Sequence, residues 1–185
     1  KRILCFVSVD LKIRELLMFL PHLRKMKWFF GKIGREKGNN MDAIKVKKLR
    51  DNAILPTYGS AEAAGADLYA CLEAPVTIAP GETVFVPTGI ALEVPAGCAG
   101  LIYARSGMAC KRGLAPANKV GVVDSDYRGE IIVALHNHGK MAQTVESGER
   151  VAQFVITPVL TPAYEAVEDL SDTGRGQGGF GSTGK

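Results

Sequence analysis

The chain has 185 residues, 46% hydrophobic and 23% charged, a balance that suits one globular domain with an appendage and excludes fibrous or disordered chains. No apolar run nears the roughly 18 residues a spanning helix needs. The net charge of +4 is uneven: residues 1–40 carry ten Lys/Arg against three Asp/Glu (+7), and residues 41–185 carry thirteen against sixteen (−3). The basic balance therefore belongs to the N-terminal segment and gives no reason to assign the main domain a nucleic-acid partner.

Residues 11–30 have helical spacing, with Leu16, Leu17, Phe19 and Leu20 interleaved with Lys12, Arg14, Arg24 and Lys25. Pro21 would kink or break that helix. Residues 1–40 are read as an extension, either upstream or non-native sequence before a start at Met41, an organelle-targeting segment, or a structural appendage. With one Ser and three acids, the segment matches a transit peptide only in part. Cys5, Cys71, Cys98 and Cys110 lack framework spacing, so free thiols in a cytosol-like compartment are expected.

From Met41 the texture is short strands, expected at 44–49, 76–78, 82–87, 89–94 and 99–103, separated by Pro-Gly, Pro-Thr-Gly and Pro-Ala-Gly turns. Residues 106–113 read as a short helix. Residues 120–124 and 130–136 flank the polar stretch Ser125-Asp126-Tyr127-Arg128-Gly129 and read as a β-hairpin. A further strand is expected at 151–156, and the Gly-rich residues 171–185 as a mobile C-terminal arm. The expected fold is all-β, a sandwich, jelly roll or distorted barrel, with its main domain at 41–170.

Several residues could carry chemistry. Gly174-Arg175-Gly176-Gln177-Gly178-Gly179 fits G-x-G-x-x-G, and Gly179 through Lys185 fits most of a P-loop. Both motifs need a following helix, and none is expected, since the sequence stops at Lys185. The glycine-rich backbone still exposes N–H groups able to wrap phosphate oxygens. In the 121–129 stretch, Asp124 could hold and polarise a water, and the Tyr127 ring could stack on a sugar or base. Taken alone, the stretch reads first as an ordinary Asp-rich turn with an exposed Tyr. Ser106 reads first as a helix N-cap, although Arg105, a hydroxyl and free N–H groups at a helix start also make an anion site. Asp67 by itself reads as a turn residue, and Gln153 as a hydrogen-bonder at the core edge. His136 and His138, without a third ligand, are not read as a metal site.

Five segments in one order closely resemble the motifs of the trimeric dUTPase family. They are Ala64-Gly65-Ala66-Asp67-Leu68, Arg105-Ser106-Gly107, residues 118–129, Gly148-Glu149-Arg150-Val151-Ala152-Gln153, and Arg175 through Thr183 with Gly179-Phe180-Gly181-Ser182-Thr183. The resemblance covers about residues 42–185. It implies a jelly-roll-like subunit, a homotrimer with interfacial sites, and Mg2+-dependent hydrolysis of dUTP to dUMP and pyrophosphate. That reaction would limit uracil incorporation into DNA and supply dUMP for dTMP synthesis.

Asp124 resembles the acid that positions the attacking water. An aspartate carboxylate is a weak base at neutral pH, so its work is mainly orientation. Arg105, Ser106 and Gly107 resemble phosphate contacts, while Arg175, Gly179, Ser182 and Thr183 would close over the far phosphate. Gln153 resembles a residue near the phosphates and the water. Asp67 resembles the acid linked to the metal through water, the ion itself being held mainly by substrate phosphates. Asn118 and Gly121 would pair with uracil, Tyr127 would pack under the sugar, and Phe180 would stack on the base. The expected location is cytoplasmic, or an organelle if residues 1–40 are a transit segment, with no stable membrane insertion. A dCTP deaminase of shared fold would need a catalytic Glu at the base, which the Asn118 and Tyr127 pattern disfavours. A non-catalytic signalling module would not need Asp124 and the complete tail.

Overall fold

A computed structural model describes residues 43–179. The helix expected at 11–30, Cys5, and the tail residues Phe180, Ser182 and Thr183 lie outside these. The described residues hold twelve short strands and one short helix, an all-β, jelly-roll-like arrangement in which no sheet closes on itself. The largest sheet runs in the order β2 (Thr57–Tyr58), β3 (Ala66–Tyr69), β12 (Arg150–Pro158), β7 (Cys98–Tyr103), β9 (Gly121–Val123). A three-stranded sheet joins β5 (Thr83–Pro87), β10 (Ile132–Asn137) and β8 (Leu114–Pro116). Two antiparallel pairs complete the domain: β1 (Lys45–Lys48) with β6 (Ile90–Glu93), and β4 (Val76–Ile78) with β11 (Gln143–Val145).

β-Branched and aromatic side chains suit a pleated, half-buried surface, and runs such as Thr83-Val84-Phe85-Val86 form strands accordingly. Along β10 burial alternates, with Val133, Leu135 and Asn137 inward and Ile132 outward, the period of two that a strand imposes. Leu68, Ile78, Val86, Ile90, Leu114, Val133, Leu135, Val145 and Val151 form the fully buried centre. Asn137 is a polar member of that centre, and its hydrogen-bonding groups are occupied. Its Nδ2 donates to the carbonyls of Ile78 at 2.9 Å and Met141 at 2.8 Å, and its Oδ1 accepts the Gly139 N–H. A buried amide so partnered ties three segments together instead of carrying a desolvation cost.

The short helix appears as expected, as α1 (Ser106–Arg112), and stops at Gly113, whose φ of 68° closes the last turn. Cys71, Cys98 and Cys110 are free thiols.

The expected β-hairpin is not formed. Among the described residues β9 pairs only with β7, and β10 pairs with β5 and β8. The reason lies beyond the turn: Ile131 is buried, its N–H donates to the Ile90 carbonyl, and its carbonyl accepts both the N–H and the hydroxyl of Thr88. These bonds draw the second arm into the other sheet, and the two arms splay apart.

Close approach at one glycine governs how the large sheet packs. A Cβ at Gly100 would lie 2.0 Å from Cζ of Phe154, whose ring fills that space from β12. Gly100→Ala should therefore destabilise the domain by about 1–3 kcal/mol through overpacking, read as a lower urea midpoint at unchanged m-value.

Candidate active site

The register of the large sheet brings distant segments into one row. Gln153 on β12 lies opposite Asp67 on β3 and opposite Tyr103 on β7. One position along, Ile102 lies opposite Gly121 on β9. Three segments singled out in the sequence thus enter one row, and a fourth flanks it.

At one end of this row Asp67 is buried and meets two guanidinium groups. Arg105 Nε donates to Oδ1 at 2.6 Å, and Arg150 Nη1 donates to Oδ2 at 3.2 Å. Arg105 Nη1 also reaches the Arg150 carbonyl at 3.3 Å, which leaves Nη2 without a partner among the described residues. Gln153 Nε2 donates to the carbonyl of Ala104 at 2.9 Å, pinning the backbone just before Arg105. Arg105 itself is the N-cap residue, with extended backbone and no side-chain cap. Ser106 is therefore the first helical residue and not the cap expected from its type. A residue already inside the helix cannot turn its hydroxyl onto the free N–H groups of the first turn as a cap does. Ser106 and Gly107 are exposed, and no side chain caps the first turn.

The helix is held from its far end by Arg112. Its guanidinium donates to Gln143 Oε1 at 3.0 Å, pairs with Glu149 and reaches the Thr144 carbonyl. Glu149 belongs to the turn entering β12, so one side chain ties α1 to the strand that carries Gln153.

At the other end the splayed arms enclose a slot of about 240 Å³, lined by Asn118, Gly121, Val122, Asp124, Tyr127 and Ile132 among others. A second hollow of about 320 Å³ shares Ile102, Asn118, Gly121 and Ile132 with it. The edge of β9 away from β7 pairs with no strand among the described residues. Gly121 keeps the slot open: a Cβ there would approach Ile102 Cβ to 3.1 Å and Asn118 Nδ2 to 3.4 Å. Next to Asn118, Lys119 holds φ at 67°, a conformation that costs a non-glycine residue about 1 kcal/mol or more and concentrates at functional sites. Asp124 stands exposed at the mouth. The Tyr127 ring folds back over Gly129, where a Cβ would lie 2.3 Å from the phenol oxygen, and the phenol donates to the Glu130 carbonyl at 3.0 Å.

The two ends are far apart within one chain. Asp124 lies beyond the Val123–Gly100 pairing, whereas Asp67 and the guanidinium it holds lie level with Tyr103, three strand spacings away. At about 3.3 Å per residue and 4.8 Å per strand the separation is on the order of 20 Å.

Beyond β12 the arm has no regular structure, and Leu160, Tyr164 and Leu170 are almost fully exposed. Arg175 and Gly179 are placed in it, with Arg175 Nε donating to the Gly178 carbonyl at 2.6 Å. Among the described residues no group of three or more His, Cys, Asp or Glu could cage a metal ion, and no helix is long and apolar enough to cross a membrane. His136 and His138 stack edge to face at 4.3 Å, away from the row. Desolvation lowers the His138 pKa from the ordinary value, with repulsion from His136 and Lys119 adding to it.

Reading by residue type missed Arg150, Arg112 and Glu149, although two of the three stand inside a motif already singled out. Basic residues in the last turn of α1 were the available signal for Arg112.

The geometry defines a class: a jelly-roll-like domain with a guanidinium–carboxylate cluster at one side of its large sheet and a slot at the other. The sequence model of the dUTPase family matches residues 51–184. The deoxyuridine 5'-triphosphate nucleotidohydrolase of Desulfitobacterium hafniense is 51% identical over 149 residues, covering 78% of this chain and 99% of that protein. Its namesake from Syntrophotalea carbinolica is 48% identical over 141 residues, covering 76% and 96%. A mutant dUTPase of Staphylococcus bacteriophage 80alpha, solved with dUpNHpp, has a TM-score of 0.72 at 28% identity, covering 78% of this chain and 100% of that one. The chain belongs to the dUTPase family.

Asp67 is the carboxylate on which both arginines depend. Asp67→Asn should lower stability by about 1.5–3 kcal/mol, the range for a hydrogen bond to a charged group, measured by urea unfolding. An unchanged midpoint would show that the arginines find other partners.

Proposed function

We propose that the slot takes the uracil and deoxyribose of dUTP, that the Arg105 end takes its phosphates, and that Asp124 aligns the attacking water. As a member of the dUTPase family the chain is a dUTP diphosphatase, converting dUTP and water to dUMP and pyrophosphate. The observation that carries the assignment of roles is the placing of an exposed Asp124 at the mouth of a slot lined by Asn118, Gly121 and Tyr127.

The water oxygen bonds to the α-phosphorus, the bond from that phosphorus to the bridging oxygen breaks, and pyrophosphate leaves with the electron pair. Asp124 orients the water by accepting a hydrogen bond and takes its proton late in the step. Arg105, Ser106 and Gly107 bind phosphate oxygens through the guanidinium, the hydroxyl and the free N–H groups of the first turn. Gln153 works beside them, near the phosphates and the water. Arg175, Gly179, Ser182 and Thr183 close over the far phosphate as the arm folds down, and ligand contacts offset the entropy of ordering it.

Asn118 and backbone groups along the β9 edge, Gly121 among them, pair with the uracil edge, and Phe180 stacks on the ring. Cytosine presents the opposite donor pattern and would leave those groups unpaired, a mismatch that discriminates strongly. The C5-methyl of thymine would collide with the slot wall. The Tyr127 ring lies under the sugar and leaves no room for a 2′-hydroxyl.

Magnesium fits this site as an ion held mainly by the substrate's phosphates, because Mg2+ keeps several waters and uses few protein carboxylates. When bound, it neutralises phosphate charge and fixes one pose of the triphosphate. Asp67 would serve that end by holding Arg105 and, through water, the ion.

The active unit is a homotrimer with sites between subunits. In support, Asp124 and the Arg105 guanidinium stand too far apart in one chain to serve one triphosphate. The exposed Leu160, Tyr164 and Leu170 also suit an arm that lies on a neighbouring subunit. Residues 41–170 are then the catalytic body and 171–185 the closing arm, acting in the cytoplasm on a free nucleotide. Removing dUTP limits uracil incorporation into DNA and supplies dUMP for dTMP synthesis.

Pyrophosphate release with magnesium tests the reading. Wild type should act on dUTP and not on dTTP, dCTP or UTP, and Asp124→Asn should lose about 10²- to 10⁴-fold in rate. Equal release from all four nucleotides would remove the assignment. Deleting residues 174–185 should abolish turnover and leave the trimer intact in analytical ultracentrifugation; loss of the trimer would end the closing-arm account.

A further inference from the structure

The loop that carries Asp124 and Tyr127 is rooted in the other sheet by one side chain that the proposed mechanism does not use. Glu130 Oε1 accepts the N–H of Gly89 at 2.7 Å, and Oε2 accepts from Arg50 Nη2 at 3.3 Å. Arg50 is itself fixed, since its Nη1 donates to the Cys71 carbonyl at 2.9 Å. Gly89 has little freedom: its φ is +68°, and its carbonyl accepts the Leu49 N–H at 2.7 Å. A Cβ there would lie 2.7 Å from Cys71 Sγ. The carboxylate thus grips a rigid turn, and the backbone carbonyl of the same residue receives the Tyr127 phenol at 3.0 Å.

We propose that Glu130 is a positioning residue that sets the height of the Tyr127 ring in the slot and so sharpens discrimination between 2′-deoxyribose and ribose. This rests on the reading that Tyr127 packs under the sugar. The ring has two supports, the Gly129 backbone beneath it and the Glu130 carbonyl at its phenol. The second shares its peptide with the Ile131 N–H, which donates to the Ile90 carbonyl at 2.9 Å, and the Glu130 carboxylate fixes that peptide from another side through Gly89. Excluding one hydroxyl needs a wall that does not yield, because a wall that gives way admits the extra oxygen at small cost. A carboxylate one methylene shorter would lose Gly89 and let the Glu130 carbonyl tilt about the remaining Ile131–Ile90 bond. An amide of equal length would keep an acceptor for that N–H.

The test is equilibrium binding of dUMP and UMP to the full chain, calorimetrically, for wild type, Glu130→Asp, Glu130→Gln, Tyr127→Phe and Tyr127→Ala. Glu130→Asp should lower the dUMP-to-UMP affinity ratio about tenfold, mainly through tighter UMP binding, while Glu130→Gln stays within about twofold of wild type. Tyr127→Phe, which removes only the phenol tether, should move the ratio in the same direction as Glu130→Asp. An unchanged ratio in Tyr127→Phe overturns the proposal even if Glu130→Asp does not fold. Equal loss of both affinities in Glu130→Asp overturns it too, by reducing Glu130 to a general support of the loop. A ratio unchanged in Tyr127→Ala would instead remove the sugar-platform reading, so the two failures are distinct.

Discussion

On β12, Gln153 stands between Asp67 on one side and Tyr103 on the other, and the remaining geometry follows from that register. A slip of one residue would turn Gln153 to the core and Phe154 outward, because side chains alternate with a period of two. Phe154 prevents the slip: it is buried, opposite Ile102 and Ala66, and its ring occupies the space that Gly100 leaves empty. The apolar face of the sheet thus decides where the polar face puts its carboxylate and its amide. The position of Arg105 depends in turn on both, through Asp67 and through the Ala104 carbonyl that Gln153 holds.

Burying Asp67 would be costly alone, and two guanidinium groups offset that cost. The arrangement also suits the phosphate end as we propose it, where positive charge must stay in place before any anion arrives. Arg105 spends its Nε on Asp67 and keeps Nη2 without a partner among the described residues, so it is oriented by a partner that does not leave. Arg112 does the same for the helix, through Gln143, Glu149 and the Thr144 carbonyl. Both arginines reach far along the chain: Asp67 is 38 residues from Arg105, and Glu149 is 37 from Arg112.

That span explains what the sequence disclosed. Short strands between Pro and Gly turns, and the helix ending at Gly113, follow from local chemistry and appear close to where they were expected. The five ordered motifs disclosed the family. Pairing partners are not local, and here the reading failed: a polar turn between two apolar runs looks like a hairpin, yet Thr88 and Ile90, some 40 residues earlier, claim Ile131 and part the arms. Ser106 misled for a related reason, since residue type favours a cap while its place one residue inside the helix is set by how β7 ends. Long side chains such as Glu130 and Arg150 are silent in sequence, because only the fold supplies what they touch.

The parted arms matter more than a hairpin would have. An unpaired strand edge invites aggregation, and natural proteins keep such edges short or covered. β9 is three residues long, and its free edge faces a slot whose other wall is the arm that never paired with it. A paired hairpin would satisfy those backbone groups and leave nothing for a planar base to bind. The same missing ladder therefore removes hydrogen bonds from the fold and creates the surface we propose for recognition, and the bonds to Thr88, Ile90 and Gly89 keep the gap from closing.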